Sequence, residues 1–253
     1  MYAPLAGARL WYEDTGGPGE AVVLLHAGTG TSRSWSGQLG PFHAAGFRAI
    51  AYDRCGHGRS EGAGSASAAD DLQALADYLN LERFHAVGTA AGAIVALDFA
   101  LSFAPRLRSL VFANSHGGVQ DEDYLALQRR LRPSPQFGAL PPEVRELGPA
   151  YRAENPAGTE EWLRIERDAR VPGAPTLPKT RNRITFQALE QLAVPTLLLT
   201  VDADLYAPAP VLELFRRRIP KSSVAVIPSC GHSAYWEQPE RFNKTVLEFI
   251  EQY

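Results

Sequence analysis

Short apolar runs alternate along this chain with stretches whose apolar residues recur every three or four positions, and that alternation predicts the architecture. Residues 8–13 alternate as a half-buried strand does and stop at Thr15-Gly16-Gly17-Pro18-Gly19. Residues 21–25 are wholly apolar, as expected of a strand covered on both faces, and end at His26-Ala27-Gly28. Further strands are expected at 48–52, 84–87, 107–113, 196–201 and 223–227. Helical spacing falls between them, at 35–45, 70–79 and 91–102, with Leu72, Leu75 and Leu79 along one face of the second. An amphipathic helix over 239–253 turns Phe242, Val246 and Ile250 inward. Strands separated by helices in this way give an α/β fold, a mostly parallel twisted sheet flanked by helices.

The alternation breaks between 116 and 187. This segment has no strand-like run and is rich in charge, aromatics and proline, with helices expected at 122–131, 142–154 and 159–167. Pro133, Pro135, Pro141, Pro156, Pro172 and Pro175 punctuate it. An interruption of this kind between two sheet strands reads as a helical cap over 116–187, with the core divided into 1–115 and 188–253.

Candidate chemistry gathers at strand ends. Gly88-Thr89-Ala90-Ala91-Gly92 sits between the strand at 84–87 and the helix at 91–102. Strand, sharp turn and helix in that order is the setting in which G-x-S-x-G holds an exposed serine, and here the corner residue is Ala90. Asp204 follows the strand at 196–201, four residues before Pro208, and Gly231-His232 follows the strand at 223–227. Taken singly, a G-x-x-x-G turn serves close helix packing, a strand-end aspartate anchors a loop, and Gly-His is a surface turn. Their concurrence at the carboxyl ends of parallel strands, where open α/β sheets bind ligands, is the informative feature. Asp202 is an alternative acid. His26 is read as ordering its turn and His57 as a structural loop residue, while His116 is a candidate pocket residue. Cys230, Tyr206 and Trp236 are read as packing groups, and Arg129, Arg130 and Arg132 as either a solvated face or a carboxylate contact.

On these residues the chain resembles the α/β-hydrolase superfamily, of the capped serine esterase and C–C hydrolase type. The segment 22–28 is similar to that family's strand ending in a His-Gly turn, and Asp53-Arg54-Cys55-Gly56-His57-Gly58-Arg59-Ser60 is similar to its D-x-x-G-x-G-x-S loop. The order of elbow, acid and histidine also agrees, and the resemblance covers nearly the whole chain outside 116–187. It departs at Ala27, where glycine is usual, and at Ala90, where serine is. The resemblance implies a triad of the Ala90 position, Asp204 and His232. It also implies an oxyanion hole from the backbone N–H groups of Gly28 and Ala91, with Thr29 as an alternative donor. It further implies hydrolysis of a small carboxylic ester or lactone through an acyl-enzyme, or of the C–C bond of a diketone. Retention of both Asp204 and His232 favours reading Ala90 as a serine replaced to give an inactive variant. The rival readings are a ligand-binding protein that hydrolyses nothing, and a cofactor-free oxygenase or lyase working through His232 and Asp204.

Composition narrows the partners. The 253 residues are 45% hydrophobic and 21% charged, which suits a soluble domain with a substantial core. A formal net charge of −3 without basic blocks speaks against nucleic acid. No apolar run approaches the roughly 20 residues of a membrane span, and Met1-Tyr2-Ala3-Pro4-Leu5 does not read as a signal peptide. Two cysteines, Cys55 and Cys230, suggest a reducing cytoplasm and no disulfide. The histidines lack H-x-x-x-H spacing and no G-x-G-x-x-G follows the first strand, so neither a metal nor a nucleotide cofactor is expected. The expected partner is a small molecule with a carbonyl group, selected by a segment that carries no readable motif.

Overall fold

A computed structural model describes residues 1–175 and 177–253. Its strands are β1 (Tyr2–Leu5), β2 (Ala8–Asp14), β3 (Ala21–Leu25), β4 (Arg48–Tyr52), β5 (Glu61–Gly62), β6 (Phe84–Thr89), β7 (Leu107–Ala113), β8 (Thr196–Val201) and β9 (Ser222–Ile227). They form one sheet in the order β1-β2-β4-β3-β6-β7-β8-β9, with β5 paired to β2. The pairings of β1, β2 and β4 are antiparallel, and all pairings from β4 to β9 are parallel. The chain runs from β3 to β4 on one side and then crosses to β6 on the other. The carboxyl ends of β3 and β6 therefore flank a topological switch point, where an open sheet leaves a crevice.

Helices cover both faces. Among them are α1 (Ser36–Ala44), α2 (Ala68–Tyr78) and α3 (Ala91–Phe103), then α4 (Glu122–Leu131), α5 (Gln136–Ala139), α6 (Pro142–Glu146), α7 (Pro149–Glu154) and α8 (Pro156–Ala169). They are followed by α9 (Phe186–Leu189), α10 (Ala209–Arg216), α11 (Ala234–Glu237) and α12 (Pro239–Ile250). Period-two alternation in the buried strands divides the core. Val22 and Leu24 of β3 pack with Trp35, Phe42 and Phe242 on one face. Val23 and Leu25 pack with Leu72, Phe99 and Phe215 on the other. Both sets are apolar, and for that reason β3 reads as an unbroken apolar run.

Between β7 and β8 the chain leaves the sheet for α4 to α9. The stretch 142–154, expected as one helix, is two. Pro149 has no N–H to continue the ladder, and the Gly148 N–H turns away to the Glu237 carboxylate at 3.0 Å. The Ser233 N–H then donates to the Glu146 carbonyl at 3.0 Å, tying the end of α6 to the loop after β9. At its far end the segment is held by Asp98 of α3, whose buried carboxylate accepts the backbone N–H groups of Arg181 and Asn182 at 2.7 and 2.9 Å. Ile184, Leu189, Leu192 and Val194 already belong to the sheet core. In the D-x-x-G-x-G-x-S loop, Asp53 accepts the N–H groups of Ser32 and Arg59 at 2.6 and 2.8 Å, so its work is to staple two loops.

A severe steric constraint lies where α3 crosses β3. A Cβ on Gly92 would stand 2.0 Å from the Leu25 carbonyl oxygen, and one on Gly88 2.6 Å from the Gly92 oxygen. Those contacts are with backbone and cannot be relieved by a rotamer change. Gly92→Ala is expected to cost about 3 kcal/mol or to prevent folding; urea denaturation would show it, and a loss below about 1 kcal/mol would contradict this packing.

Candidate active site

Residue 90 occupies the turn between β6 and α3 with φ 50° and ψ −114°, a left-handed conformation that disfavours any side chain. The turn is pinned from both sides: the Ala90 N–H donates to the Ala113 carbonyl at 3.0 Å, and the Ser115 hydroxyl donates to the Ala90 carbonyl at 2.7 Å. Such strain persists only where the surroundings over-determine it. Ala91 follows as the first residue of α3.

Asp204 lies beyond β8, and His232 beyond β9. His232 Nδ1 is 2.8 and 2.9 Å from the two Asp204 oxygens. Asp204 also accepts the N–H groups of Tyr206 and Ala207 at 2.7 and 3.0 Å and the Asn114 side-chain amide at 3.1 Å. Burial opposes the carboxylate charge, yet the imidazole and these donors outweigh it and hold Asp204 down at about 2. For His232, burial opposes the imidazolium, but Asp204 and then Glu146 prevail, so its pKa is raised. The ring stacks on Tyr206 with centroids 4.4 Å apart. Asp202, the alternative acid, instead accepts the backbone N–H groups of Ser229 and Cys230 at 2.8 and 3.2 Å, anchoring the loop that carries His232.

Ala90, Ala91, Gly28, Thr29 and His232 line a common cavity of about 220 Å³. The turn bearing Gly28 is fixed by His26, whose Nδ1 is 2.7 Å from the Ala27 carbonyl oxygen and whose Nε2 accepts the Arg54 N–H at 3.0 Å. His116 also lines the cavity; burial and Arg132 lower its pKa to about 4, so it is neutral at pH 7. The insertion contributes Arg132, Arg145, Arg170, Glu146 and Glu166. Arg129 and Arg130 are exposed elsewhere on α4. His57 lines a neighbouring cavity, its pKa lowered to about 3 by burial and Arg54. Burial pushes the Cys55 thiol up to about 12 and raises Cys230 too, so neither presents a thiolate. Trp236 donates to the Gly158 carbonyl at 3.2 Å.

Sequence reasoning had no signal for Asn114, Glu146, Arg145, Glu166 or Arg170. Asn114 follows β7 at φ 48°, a left-handed position that asparagine tolerates, and an asparagine after a strand was its only available hint.

Two outcomes follow from this geometry. Ala90→Gly is expected to stabilise the fold by about 1 kcal/mol by removing strain at the corner; thermal unfolding would test it, and destabilisation would contradict the strained corner. Asp204→Asn is expected to lower the His232 titration midpoint, followed by NMR, by about one pH unit or more. The accompanying stability terms have opposite signs. Asp204's contribution is lost as pH falls from 3.8 towards about 2, and that of His232 as pH rises through its elevated folded value.

Comparison with known proteins shows the family. A family model described as "Alpha/beta hydrolase family" matches residues 22–245. A 2-hydroxy-6-oxononadienedioate/2-hydroxy-6-oxononatrienedioate hydrolase of Pseudomonas putida is 30% identical, over 96% of this chain and 92% of its own. Its counterpart from Burkholderia vietnamiensis is 28% identical, over 96% and 91%. Among solved structures, a malate-bound thermophilic esterase from Thermogutta terrifontis superposes with a TM-score of 0.83 at 27% identity, covering 100% of this chain and 98% of that one. Fold and matched length agree, and the chain belongs to the α/β hydrolase family.

Proposed function

We propose that this chain is built as a serine-type hydrolase of a small carbonyl compound bearing a carboxylate, and that Ala90 makes it an inactive form of that enzyme. The observation that carries the reading is the Asp204–His232 pair opening on the same cavity as the strained corner and the Gly28 turn. Residues 116–187 act as the cap that closes the cavity and supplies its charge.

With serine at position 90, His232 Nε2 would accept the hydroxyl proton as the oxygen attacks the carbonyl carbon. Asp204 holds the other ring nitrogen and stabilises the imidazolium. The N–H groups of Gly28 and Ala91 would take the oxyanion. The leaving group then takes the proton from His232, and water activated by the same imidazole hydrolyses the acyl-enzyme. A methyl group cannot begin this sequence, and loss of the nucleophile removes roughly 10⁶-fold of kcat, about 8 kcal/mol. Substrate binding survives.

Charge in the cavity argues for the carboxylate. Three guanidinium groups, Arg132, Arg145 and Arg170, face two carboxyl groups, those of Glu146 and Glu166. Ligands of similar chemistry are named for the relatives: dioates for the hydrolases and malate for the esterase. These names favour C–C cleavage of an oxo-acid over hydrolysis of a simple ester, and either begins with the same attack.

Ala90→Ser is the decisive variant. It is expected to raise turnover by about 10⁴-fold or more on at least one of three classes: p-nitrophenyl esters, lactones and 2-hydroxy-6-oxo dienoates. A folded Ala90→Ser protein that stays at the Ala90 rate on all three would overturn the reading. Turnover by the Ala90 protein that is abolished in His232→Ala would support the nucleophile-free rival.

A further inference from the structure

A second cavity, of about 370 Å³, borders the candidate active site, with Leu177 in the wall of both. It is enclosed by the loop after β4, residues 62–71 and the end of the insertion. Two backbone hydrogen bonds hold the insertion against the other two segments. The Val171 N–H donates to the Gly56 carbonyl at 2.9 Å, and the Ala68 N–H to the Lys179 carbonyl at 2.9 Å. A space of that size suits a small molecule, since ligand pockets span about 300–1,000 Å³.

Arg54 lines this cavity and is 5% exposed. Its Nε has no hydrogen-bond partner among the described residues, and its Nη2 donates to the Ala27 carbonyl at 3.2 Å. His26 Nδ1 lies 3.5 Å from the same nitrogen but is itself engaged with that carbonyl at 2.7 Å. The other ring nitrogen of His26 accepts the Arg54 N–H, so Nδ1 carries the proton and has no lone pair to offer. Among the described residues no carboxylate pairs with the guanidinium, and burial lowers its pKa to about 10. A buried cation without a counter-ion is costly, and a cavity beside it is where one can enter.

We propose that this cavity binds a small aliphatic carboxylate, which pairs with the Arg54 guanidinium and lays its chain along the apolar wall. The site is separate from the cavity of the proposed hydrolysis and requires no particular residue at position 90. Charge selects a monoanion. Arg54 and Lys179 line the cavity against the single carboxylate of Asp71, which already accepts the Ser65 N–H at 2.6 Å and the Cys55 thiol. His57, also in the wall, has its pKa lowered to about 3 and is neutral at pH 7. One positive charge is therefore in excess, and a phosphate dianion would overfill it. The rest of the wall is carbon: Ala63, Ala68, Val171, Ala174 and Leu177. Val171 and Leu177 are exposed, so an aliphatic chain gains contact there that water cannot give.

The test titrates the chain as it stands with pentanoate, followed by backbone amide NMR. Pentanoate is expected to shift the amides of Gly56, Ala63, Ser65 and Lys179 with a Kd of about 1 mM or below. Pentanamide, similar in shape but uncharged, is expected to bind at least about 10-fold more weakly. Arg54→Met is expected to lose at least about 10-fold in pentanoate affinity at these amides, while Arg132→Met, in the other cavity, retains it. Shifts confined to Gly28, Ala91 and His116 would assign pentanoate to the candidate active site and overturn the proposal. Equal binding of pentanamide, or unchanged affinity in a folded Arg54→Met protein, also overturns it. The comparison of acid with amide is made on the parent chain and stands even where Arg54→Met does not fold. None of these results depends on whether Ala90→Ser restores hydrolysis.

Discussion

Everything at the site depends on how closely α3 approaches β3. Gly88 and Gly92 leave no room for even a methyl group against the backbone of the neighbouring elements. The helix must therefore begin directly at the end of β6, and the one residue between them is forced to φ 50°. That reversal puts position 90 and Ala91, the first residue of α3, on the wall of the cavity, at a helix N-terminus, the end that favours negative charge. The Ala113 and Ser115 hydrogen bonds then leave the corner no alternative arrangement. Strain at residue 90 is thus a consequence of packing elsewhere and is independent of which side chain stands there. An alanine suffers it as a serine would.

A second constraint is charge in a dry place. Asp204 is 5% exposed and His232 4%, and a lone charge so buried would neutralise itself. Mutual stabilisation, with three further donors on the carboxylate, keeps Asp204 ionised. Glu146 lacks that support. It has one hydroxyl donor and an imidazole beyond ordinary hydrogen-bond distance, so burial dominates its titration. Two carboxyl groups beside one histidine are therefore driven in opposite directions by their surroundings, a separation that divides acid from base in protein sites.

How much of this was legible in the chain follows from the physics of each element. Strands buried on both faces declare themselves as unbroken apolar runs, and 21–25, 48–52, 107–113 and 196–201 coincide with β3, β4, β7 and β8. β1 was invisible because it joins through backbone pairing with β2 and buries little beyond Ala3. The break in 142–154 was written in Gly148-Pro149, but the helical period on either side masked it. Asp204, His232 and position 90 could be picked out because strand ends converge on one edge of a parallel sheet, so place in the chain stands in for place in space. The insertion offers no such rule. Arg129, Arg130 and Arg132 look alike in sequence, yet the first two are exposed on α4, while Arg132 caps the helix at φ −127° and reaches the cavity. Only tertiary packing separates a guanidinium facing a ligand from one facing water.

The same asymmetry bears on what a methyl at residue 90 does to the chemistry. A serine there would add a hydroxyl to the wall of the cavity that His232 also lines. Alanine leaves the guanidinium groups of the cavity and the Asp204–His232 contact in place. Glu146 Oε2 stands 3.9 Å from His232 Nε2, brought there by the α6 break and the Ser233 N–H. The core of the fold thus supplies the imidazole and its aspartate, and the insertion supplies Glu146 and the guanidinium groups.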